Sequence, residues 1–312
     1  METTILRLQF IKNSSLLVSM RYVSTMLISE FDPWKSKLCT CPPKLSFNPY
    51  TGCDHGCLYC YASSYIPKFS NCRPKKDVLT RLEREVRKLR GELISISNSS
   101  DPYPTLEEKN GLTRKCLEIL SRHECRIQIV TKSSLVTRDI DLLRKMRCMV
   151  AFSITIDSDK ISRRLEPRAP ASSKRLKAIE TLVETNIPVA VRIDPIIPFL
   201  NDKPDKLIQS LASIGVSHIT SSTYKVRTDN WRRFRRAFPE VAKKLRPLYF
   251  EEGERISRYF YLPEELRYQL MKKVKAMAEE NGMKFGCCRE GFSHLNSASC
   301  DGSWLTLKER SV

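Results

Sequence analysis

The chain has 312 residues, with 54 Lys and Arg against 35 Asp and Glu, and so carries a formal net charge of +19. A surface this basic favours polyanionic partners, nucleic acid before anionic membranes. No run of about 18 or more apolar residues occurs, which argues against a membrane-spanning protein. Twelve cysteines without a recognisable signal peptide argue against a secreted disulfide protein and indicate metal ligation in a reducing cytoplasm.

Three units are expected along the chain. Residues 1–38 form an N-terminal extension, in which apolar and polar residues mix without a clear period. A transit peptide, a poorly ordered extension and a translation start at Met20 or Met26 all fit this segment. Residues 39–225 are expected to form the core, and residues 226–312 a mainly helical, basic C-terminal extension.

In the core, strand-like segments alternate with helix-like segments. The first strand leads into a cysteine-rich loop, and the later strands are GELISISN, RIQIVTK, CMVAFSIT, IPVAVRID and VSHITSS. Alternation of this kind predicts a parallel sheet with right-handed crossovers. Six such units are too few for a closed eight-fold barrel, so we expect an α/β fold with an open partial (β/α)6 barrel. In parallel barrels, functional residues lie at the carboxyl ends of the strands.

The cysteine-rich loop, Asn48–Ala62, has the sequence NPYTGCDHGCLYCYA, with Cys53, Cys57 and Cys60 in the spacing C-x3-C-x2-C. Thiolates are the soft ligands of iron–sulfur clusters, and most clusters take four of them. Three close thiolates therefore leave one iron of a 4Fe–4S cube open to a substrate or cofactor. Two alternatives are a structural zinc site with His55 as fourth ligand and a redox-active pair of Cys57 and Cys60.

This spacing, with the aromatic Tyr59 before the last cysteine, resembles the signature of the radical S-adenosylmethionine (SAM) enzymes. The segments SDPYP, TKSSLVTRDIDLL, LEPRAP and RIDPIIPFLND extend the resemblance to the branch that contains the spore photoproduct lyases. The resemblance implies that Cys53, Cys57 and Cys60 hold a 4Fe–4S cluster whose open iron is chelated by SAM. It also implies reductive cleavage of SAM to a 5′-deoxyadenosyl radical, which abstracts hydrogen from the substrate.

The resemblance assigns cofactor contacts at the ends of the later strands. Ser100 and Asp101 match the segment that grips the SAM amino group, and Lys132 faces the SAM carboxylate. Ser153 is expected to contact the ribose or the carboxylate, and Arg192 is a further cofactor contact. Ordinary turns and solvated side chains are the alternative interpretation of these polar residues.

Tyr59, Lys132 and Arg168 are the candidate catalytic residues. The Arg168 guanidinium suits bidentate binding of a phosphate or carboxylate, although Glu166 and Arg168 also suit a surface ion pair. Spore photoproduct lyases have a hydrogen-donating cysteine just before the Ser-Asp segment, and Asn98 takes that place here. An amide cannot donate a hydrogen atom in this way, so repair of the spore lesion is doubtful.

The C-terminal extension begins with KVRTDNWRRFRRAFPEVAKKLR, in which arginines are interleaved with aromatic residues. Arginine forks suit phosphates, and aromatic rings offer stacking faces to unpaired bases. The alternative is an amphipathic helix that buries its aromatic side chains and solvates its arginines. The residues concerned are Arg232, Arg233, Arg235 and Arg236, with Trp231, Phe234 and Phe238.

A further group of cysteines lies in turn-rich segments near both ends of the chain. If these ends meet, the group is a candidate second site for a cluster or a zinc ion; incidental buried thiols are the alternative. The group consists of Cys39, Cys41, Cys288 (or Cys287) and Cys300. The cysteines expected in the core are Cys72, Cys116, Cys125 and Cys148.

The sequence thus predicts a cytoplasmic, monomeric radical SAM enzyme that uses a 4Fe–4S cluster and SAM and makes no membrane contact. Its expected substrate is DNA or RNA, repaired or modified in a lyase-like reaction, and its expected electron donor is ferredoxin or flavodoxin. One alternative is a radical SAM enzyme acting on a protein or a small molecule. The other is a non-catalytic, zinc-stabilised nucleic-acid-binding module.

Overall fold

The computed structural model describes residues 26–31 and 36–307. Most of the predicted N-terminal extension, including the alternative start at Met20, lies outside the described residues. Strands of the described ranges are β1 (Ser29–Glu30), β2 (Leu45–Phe47), β3 (Tyr50–Thr51), β4 (Arg73–Pro74), β5 (Leu93–Ile96), β6 (Arg126–Thr131), β7 (Arg147–Ser153), β8 (Val189–Ile196), β9 (His218–Thr223), β10 (Glu254–Ile256), β11 (Tyr259–Tyr261) and β12 (Lys284–Cys287). The α-helices are α1 (Val78–Val86), α2 (Glu107–Asn110), α3 (Leu112–Leu120), α4 (Ile140–Leu143), α5 (Asp159–Leu165), α6 (Ser172–Glu184), α7 (Asp205–Ile214), α8 (Thr228–Ala237), α9 (Pro239–Phe250) and α10 (Glu264–Glu280).

One eight-stranded sheet, in the order β1-β2-β5-β6-β7-β8-β9-β12, forms the centre of the fold. Its strands from β2 to β12 pair in parallel, and β1 pairs antiparallel with β2. The six predicted strands correspond to β2, β5, β6, β7, β8 and β9, each followed along the chain by a helix. The predicted α/β class with a parallel, partial-barrel sheet is therefore confirmed.

The sheet has two strands that the sequence did not predict, one at each edge. Ser29–Glu30 is too short for a periodic pattern, and it becomes a strand only by pairing with β2. At the other edge, Lys284–Cys287 adds a parallel strand beside β9, although it belongs to the predicted helical extension. Gly286 weakens its strand signal, yet a Cβ at this position would lie 2.3 Å from the Cys300 carbonyl oxygen. The glycine therefore permits a close chain approach.

The main core lies between this sheet and the helices that follow the strands. In α1, the side chains of Val78, Leu82 and Val86 recur every four residues and are all buried, because this spacing places them on one helix face. The central strand β7 is buried along almost its entire length, as expected for a parallel strand with both faces covered.

A second apolar cluster forms where α8 and α9 pack beside the sheet. It contains the aromatic residues of the arginine-rich segment at residues 225–246. Phe234 and Phe238 are buried, and their rings stack with centroids 5.3 Å apart. Trp231 is half-buried and stacks on Phe234. The amphipathic interpretation is therefore correct for these aromatic side chains, whereas Arg232 and Arg235 remain exposed.

The cysteines predicted in the core divide into two groups. Cys116, Cys125 and Cys148 are buried, as expected, but Cys72 is only half-buried, because it lies in a turn-rich loop before β4. Separately, none of the described helices has the length and apolar composition needed to cross a membrane.

Candidate active site at the three-cysteine loop

The loop that carries Cys53, Cys57 and Cys60 is fixed by its own backbone. Gly52 has φ +82°, and a Cβ there would come within 2.3 Å of the Phe69 carbonyl oxygen. The same oxygen accepts a hydrogen bond of 2.9 Å from the Cys53 amide. Because a side chain at residue 52 would block this approach, the loop depends on glycine at that position.

A cavity opens between this loop and the carboxyl ends of the parallel strands, as the barrel rule predicts. Segments at the ends of β5, β6, β7, β8, β9 and β12 all line it. The predicted metal ligands and cofactor contacts that line this one cavity are Cys53, Cys57, Cys60, Tyr59, Ser100, Asp101, Lys132, Ser153 and Arg192. Residues far apart in sequence are thus brought around one space.

The three thiols are partly buried, and burial raises the pKa of each, to about 12 for Cys57. Backbone N–H groups act in the opposite direction, since His55 N–H donates to the Cys53 sulfur and Ala62 N–H to the Cys60 sulfur. Hydrogen bonds to sulfur favour its anionic form, the form that binds metal.

No group of three or more His, Cys, Asp or Glu side chains in the described ranges converges as ligands of a single metal ion. An iron–sulfur cluster takes its thiolates at different iron atoms, so its ligands need not converge on one point. His55, the alternative zinc ligand, is buried with its Nδ1 3.6 Å from Asp101 Oδ2. The donor set of the loop therefore fits a cluster better than it fits zinc.

Asp101 ties the end of β5 to the end of β6. Its Oδ1 accepts hydrogen bonds from Thr131 Oγ1 at 2.7 Å and from the Tyr103 amide at 3.0 Å. Its Oδ2 accepts one from the Lys132 amide at 2.8 Å. The carboxylate thus has a positioning role in this structure, and its contact with the SAM amino group stays a prediction.

Beneath the loop lies a buried group of charged and polar side chains around Glu166. Arg175 Nη2 is 2.6 Å from this carboxylate, and Thr155 Oγ1 donates to it at 2.8 Å. Tyr59 donates its hydroxyl to the same carboxylate, and Lys132 Nζ lies 4.0 Å away. Burial alone would raise the pKa of Glu166, but Arg175 and Lys132 outweigh it and hold the pKa at about 2.

This arrangement corrects one interpretation of LEPRAP. Glu166 is buried and pairs with Arg175 and Lys132, so the alternative interpretation, an ordinary surface ion pair at Glu166, is wrong. Lys132 Nζ is also 5.6 Å from the centre of the Tyr59 ring. The network thus keeps a cation at the edge of the cavity, where a ligand carboxylate can reach it.

Arg168 lies on the outer side of the loop. Its side chain is exposed, and its Nε donates to the Asp54 carbonyl oxygen at 2.5 Å. Its backbone N–H donates to the His55 carbonyl oxygen at 3.0 Å. Arg168 is absent from the described lining of the cavity, so the geometry favours a positioning role over the predicted catalytic one.

Sequence reasoning missed the contribution of α8 to the loop. Arg233 Nη2 donates to the Cys60 carbonyl oxygen at 2.8 Å and to Ser63 Oγ at 2.9 Å. Asn230 Nδ2 donates to the Tyr59 carbonyl oxygen at 3.0 Å. Arg233 therefore differs from its exposed neighbours, but only the packing of α8 against the loop distinguishes it.

A second missed residue is Arg289, which follows β12 and lines the cavity. Its side chain is only 6% exposed, and its Nε and Nη1 atoms have no hydrogen-bond partner among the residues the structure describes. The guanidinium lies 5.3 Å from the Tyr61 ring and 5.1 Å from the Tyr259 ring. A buried cation is costly to leave unpaired, so Arg289 is poised to accept an anion.

The predicted second group of cysteines also comes together. Cys41 and Cys300 have their sulfurs 3.4 Å apart, and Cys39 lies near enough to Cys41 to interact with it electrostatically. Cys39, Cys41 and Cys288 line a second cavity. Cys287, the alternative ligand, is buried and is absent from the described lining of that cavity. The segments 39–41 and 288–300 therefore meet, as the second-site hypothesis requires.

Comparison with protein families and curated proteins gives the following matches. The family model of the radical SAM superfamily matches residues 47–211. An uncharacterised protein of Mycobacterium tuberculosis is 26% identical over 256 residues, which cover 75% of this chain and 73% of that protein. An uncharacterised protein of Methanocaldococcus jannaschii is 33% identical over 165 residues, which cover 51% of this chain and 62% of that protein.

The solved structures that are similar in fold include the following two. A spore photoproduct lyase complexed with dinucleoside spore photoproduct has a TM-score of 0.61 at 16% identity, covering 83% of this chain and 76% of that chain. A radical SAM methyltransferase from Kitasatospora setae has a TM-score of 0.53 at 12% identity, covering 84% and 57%. Because the family model spans more than half of the chain, and the fold is that of spore photoproduct lyase, this protein belongs to the radical SAM superfamily of enzymes.

Proposed function

We propose that this enzyme binds a 4Fe–4S cluster through Cys53, Cys57 and Cys60, cleaves SAM reductively and acts on nucleic acid. The observation that carries the proposal is a single cavity lined by three thiols, Lys132 and Arg289, whose buried Nε and Nη1 have no described hydrogen-bond partner. The thiols suit the cluster, and the two cations suit anionic groups of the cofactor and the substrate. When bound, the cluster supplies the electron that starts radical chemistry on SAM.

The side chains of the chain position SAM in this proposal. Lys132, held beside Glu166 and over Tyr59, receives the SAM carboxylate. Ser100 and Asp101 face the amino group, and Ser153 the ribose or carboxylate. Tyr59, whose hydroxyl is engaged by Glu166, has its aromatic ring fixed beside the cavity and helps to exclude water.

Two features support an anionic substrate. Arg289 is buried at the cavity without a described hydrogen-bond partner, so a phosphate oxygen would satisfy it. Arg232, Arg235 and Arg236 are exposed on α8. Arg233 of the same helix donates a hydrogen bond to the Cys60 carbonyl oxygen in the three-cysteine loop. The charge of +19 agrees with this, as does the dinucleoside ligand of the similar spore photoproduct lyase structure.

The radical chemistry is tested by measuring 5′-deoxyadenosine. Anaerobically reconstituted protein is mixed with SAM and dithionite, beside a variant in which Cys53, Cys57 and Cys60 are all changed to Ala. The matched control is Cys125→Ala, which removes a buried thiol away from the cavity. We expect nucleoside from the wild type and the control only; equal yield from the triple variant would overturn the proposal.

The nucleic-acid part is tested by the salt dependence of binding to single-stranded DNA and RNA. In the test variant, Arg232, Arg235 and Arg236 are changed together to Glu. In the control variant, the same charge reversal is made at Arg144, Lys145 and Arg147. These three residues are exposed near the start of β7, and the cavity lies at its other end. Loss of three phosphate contacts should reduce the slope of log K against log salt by about 2. An equal effect in both variants, or salt-independent binding, would contradict a nucleic-acid substrate.

A further inference from the structure

We propose that Cys39, Cys41, Cys288 and Cys300 form a second metal site, which binds an iron–sulfur cluster through thiolates. The site is independent of the proposed function, because it shares no ligand with the three-cysteine loop. Cys39 and Cys41 precede β2, Cys288 follows β12, and Cys300 lies in the turn-rich segment beyond it. Three separate stretches of the chain therefore supply the ligands.

The sulfur positions carry this inference. Cys41 and Cys300 are separated by 259 residues, yet their sulfurs lie 3.4 Å apart. A disulfide requires about 2.05 Å, so these are two distinct thiols. Cys39, Cys41 and Cys288 line one cavity, and Cys39 and Cys288 lie near enough to Cys41 to interact with it electrostatically. Four neighbouring thiols are a donor set for a thiophilic metal.

Contacts in the surrounding structure hold these segments in place. The carbonyl oxygen of Cys300 accepts a hydrogen bond of 3.0 Å from Thr220 Oγ1 on β9 and lies against Gly286 on β12. Thr40, between the first two cysteines, accepts a hydrogen bond of 3.4 Å from Asn296 Nδ2. The geometry thus follows from main-sheet pairing and is not a local accident of one loop.

Cations also lie beside the sulfurs. Lys44 is buried, pairs with Asp301 at 2.5 Å and interacts electrostatically with Cys41. Arg192 Nη2 donates to Cys288 Sγ at 3.6 Å. Hydrogen bonds and positive charge near ligating sulfur stabilise thiolates and tune a bound cluster.

Four cysteine sulfurs form a donor set that iron–sulfur clusters and zinc sites both use. Within the part of the chain that the structure describes, no group of three or more His, Cys, Asp or Glu side chains is arranged to hold a single metal ion. A cluster takes its thiolates at different iron atoms, so we assign a cluster to this group. The cavity beside Cys39 and Cys41 shares seven lining residues with the active-site cavity, Tyr61, Arg192 and Cys288 among them, so the second metal would lie beside the active site.

The test is the iron, sulfide and zinc content per chain after anaerobic reconstitution, together with the visible absorption spectrum. Three variants are compared with wild type: Cys53, Cys57 and Cys60 all to Ala; Cys39, Cys41 and Cys300 all to Ser; and the control pair Cys116→Ala and Cys125→Ala. We expect each triple variant to lose part of the iron and sulfide and the control to lose none.

The first triple variant keeps all four proposed ligands, so it reports on the second site even if the Ser variant fails to fold. Iron and sulfide retained by this variant would support the second cluster. No metal in this variant would overturn it, and zinc in place of iron would overturn its assignment as a cluster. Failure of the proposed function would instead show as absent 5′-deoxyadenosine with both clusters present.

Discussion

Cys53, Cys57 and Cys60 lie on one short loop, whereas Cys39, Cys41, Cys288 and Cys300 come from segments near both ends of the chain. The first group acquires its spacing from local turns, with Gly52 and backbone hydrogen bonds fixing the loop. The second group forms only after β12 has paired with β9 and the segment of Cys39 and Cys41 has packed against the segment that follows β12.

The ligand geometry of the two groups should therefore depend differently on the rest of the molecule. A local loop keeps its ligand spacing provided that its immediate supports remain, namely Glu166, Arg168 and Arg233. A long-range site closes a large part of the chain, so metal binding there contributes directly to folding stability. Disturbing the supports and removing the metal should therefore separate the two groups.

The largest effect on stability is expected from Glu166→Gln. This change leaves Arg175 buried without its carboxylate partner, which costs about 3–5 kcal/mol in the free energy of unfolding. Urea denaturation measures it, with Glu180→Gln as control, because Glu180 pairs with the exposed Lys177. A loss below about 1 kcal/mol would show that the network does not support the loop.

The same variant gives a pH dependence with a defined sign. The pKa of Glu166 is about 2 in the folded state, below its ordinary value of 4.5. Its contribution is therefore complete above pH 4.5 and is lost as the pH falls towards 2. The stability difference between wild type and Glu166→Gln should shrink over this range and stay constant at higher pH.

Metal removal should separate the two cysteine groups next. In the variant that lacks Cys53, Cys57 and Cys60, a chelator acts only on the proposed second site. Loss of a ligand present at a hundred times its Kd costs about 3 kcal/mol, which lowers the Tm by about 5 °C or more. An unchanged Tm in thermal denaturation would mean that the segments 39–41 and 288–300 meet without help from metal.

A smaller effect is expected from Arg233→Ala. It removes hydrogen bonds to the Cys60 carbonyl oxygen and to Ser63, at a cost of about 1–3 kcal/mol. Iron retained by the loop should fall, while iron at the second site should not. Arg232→Ala is the matched control, since this neighbour is exposed; equal effects of the two changes would refute the supporting role of Arg233.

The smallest effect is expected from Arg168→Ala, which tests the catalytic role that the sequence predicted. Losing one bond to the Asp54 carbonyl oxygen should cost about 1 kcal/mol of stability and change kcat less than tenfold. Lys132→Ala, which alters the cavity lining, should instead weaken SAM binding by more than tenfold. A large loss of kcat in Arg168→Ala would restore its catalytic assignment.

The sequence by itself determined the features that depend on local spacing. Residues close together along the chain determine the C-x3-C-x2-C loop, the six strand–helix units and the apolar face of α1. Periodicity and turn chemistry are local properties, so they can be recognised before folding. The strand-end residues Ser100, Asp101, Lys132 and Ser153 were found for the same reason, since each follows or ends a recognisable strand.

Only the tertiary structure decided which side chains from different structural elements come into contact. It paired Glu166 with Arg175 instead of leaving it at the surface, and it set Arg233 against the loop while its neighbours stayed exposed. It also brought Arg289 to the cavity, with no described hydrogen-bond partner for its Nε and Nη1, and Cys300 to Cys41. Such contacts depend on strand order and helix packing, which bring together residues from separate elements, as in the pair Cys41 and Cys300 with a separation of 259 residues. A local sequence pattern does not determine that packing.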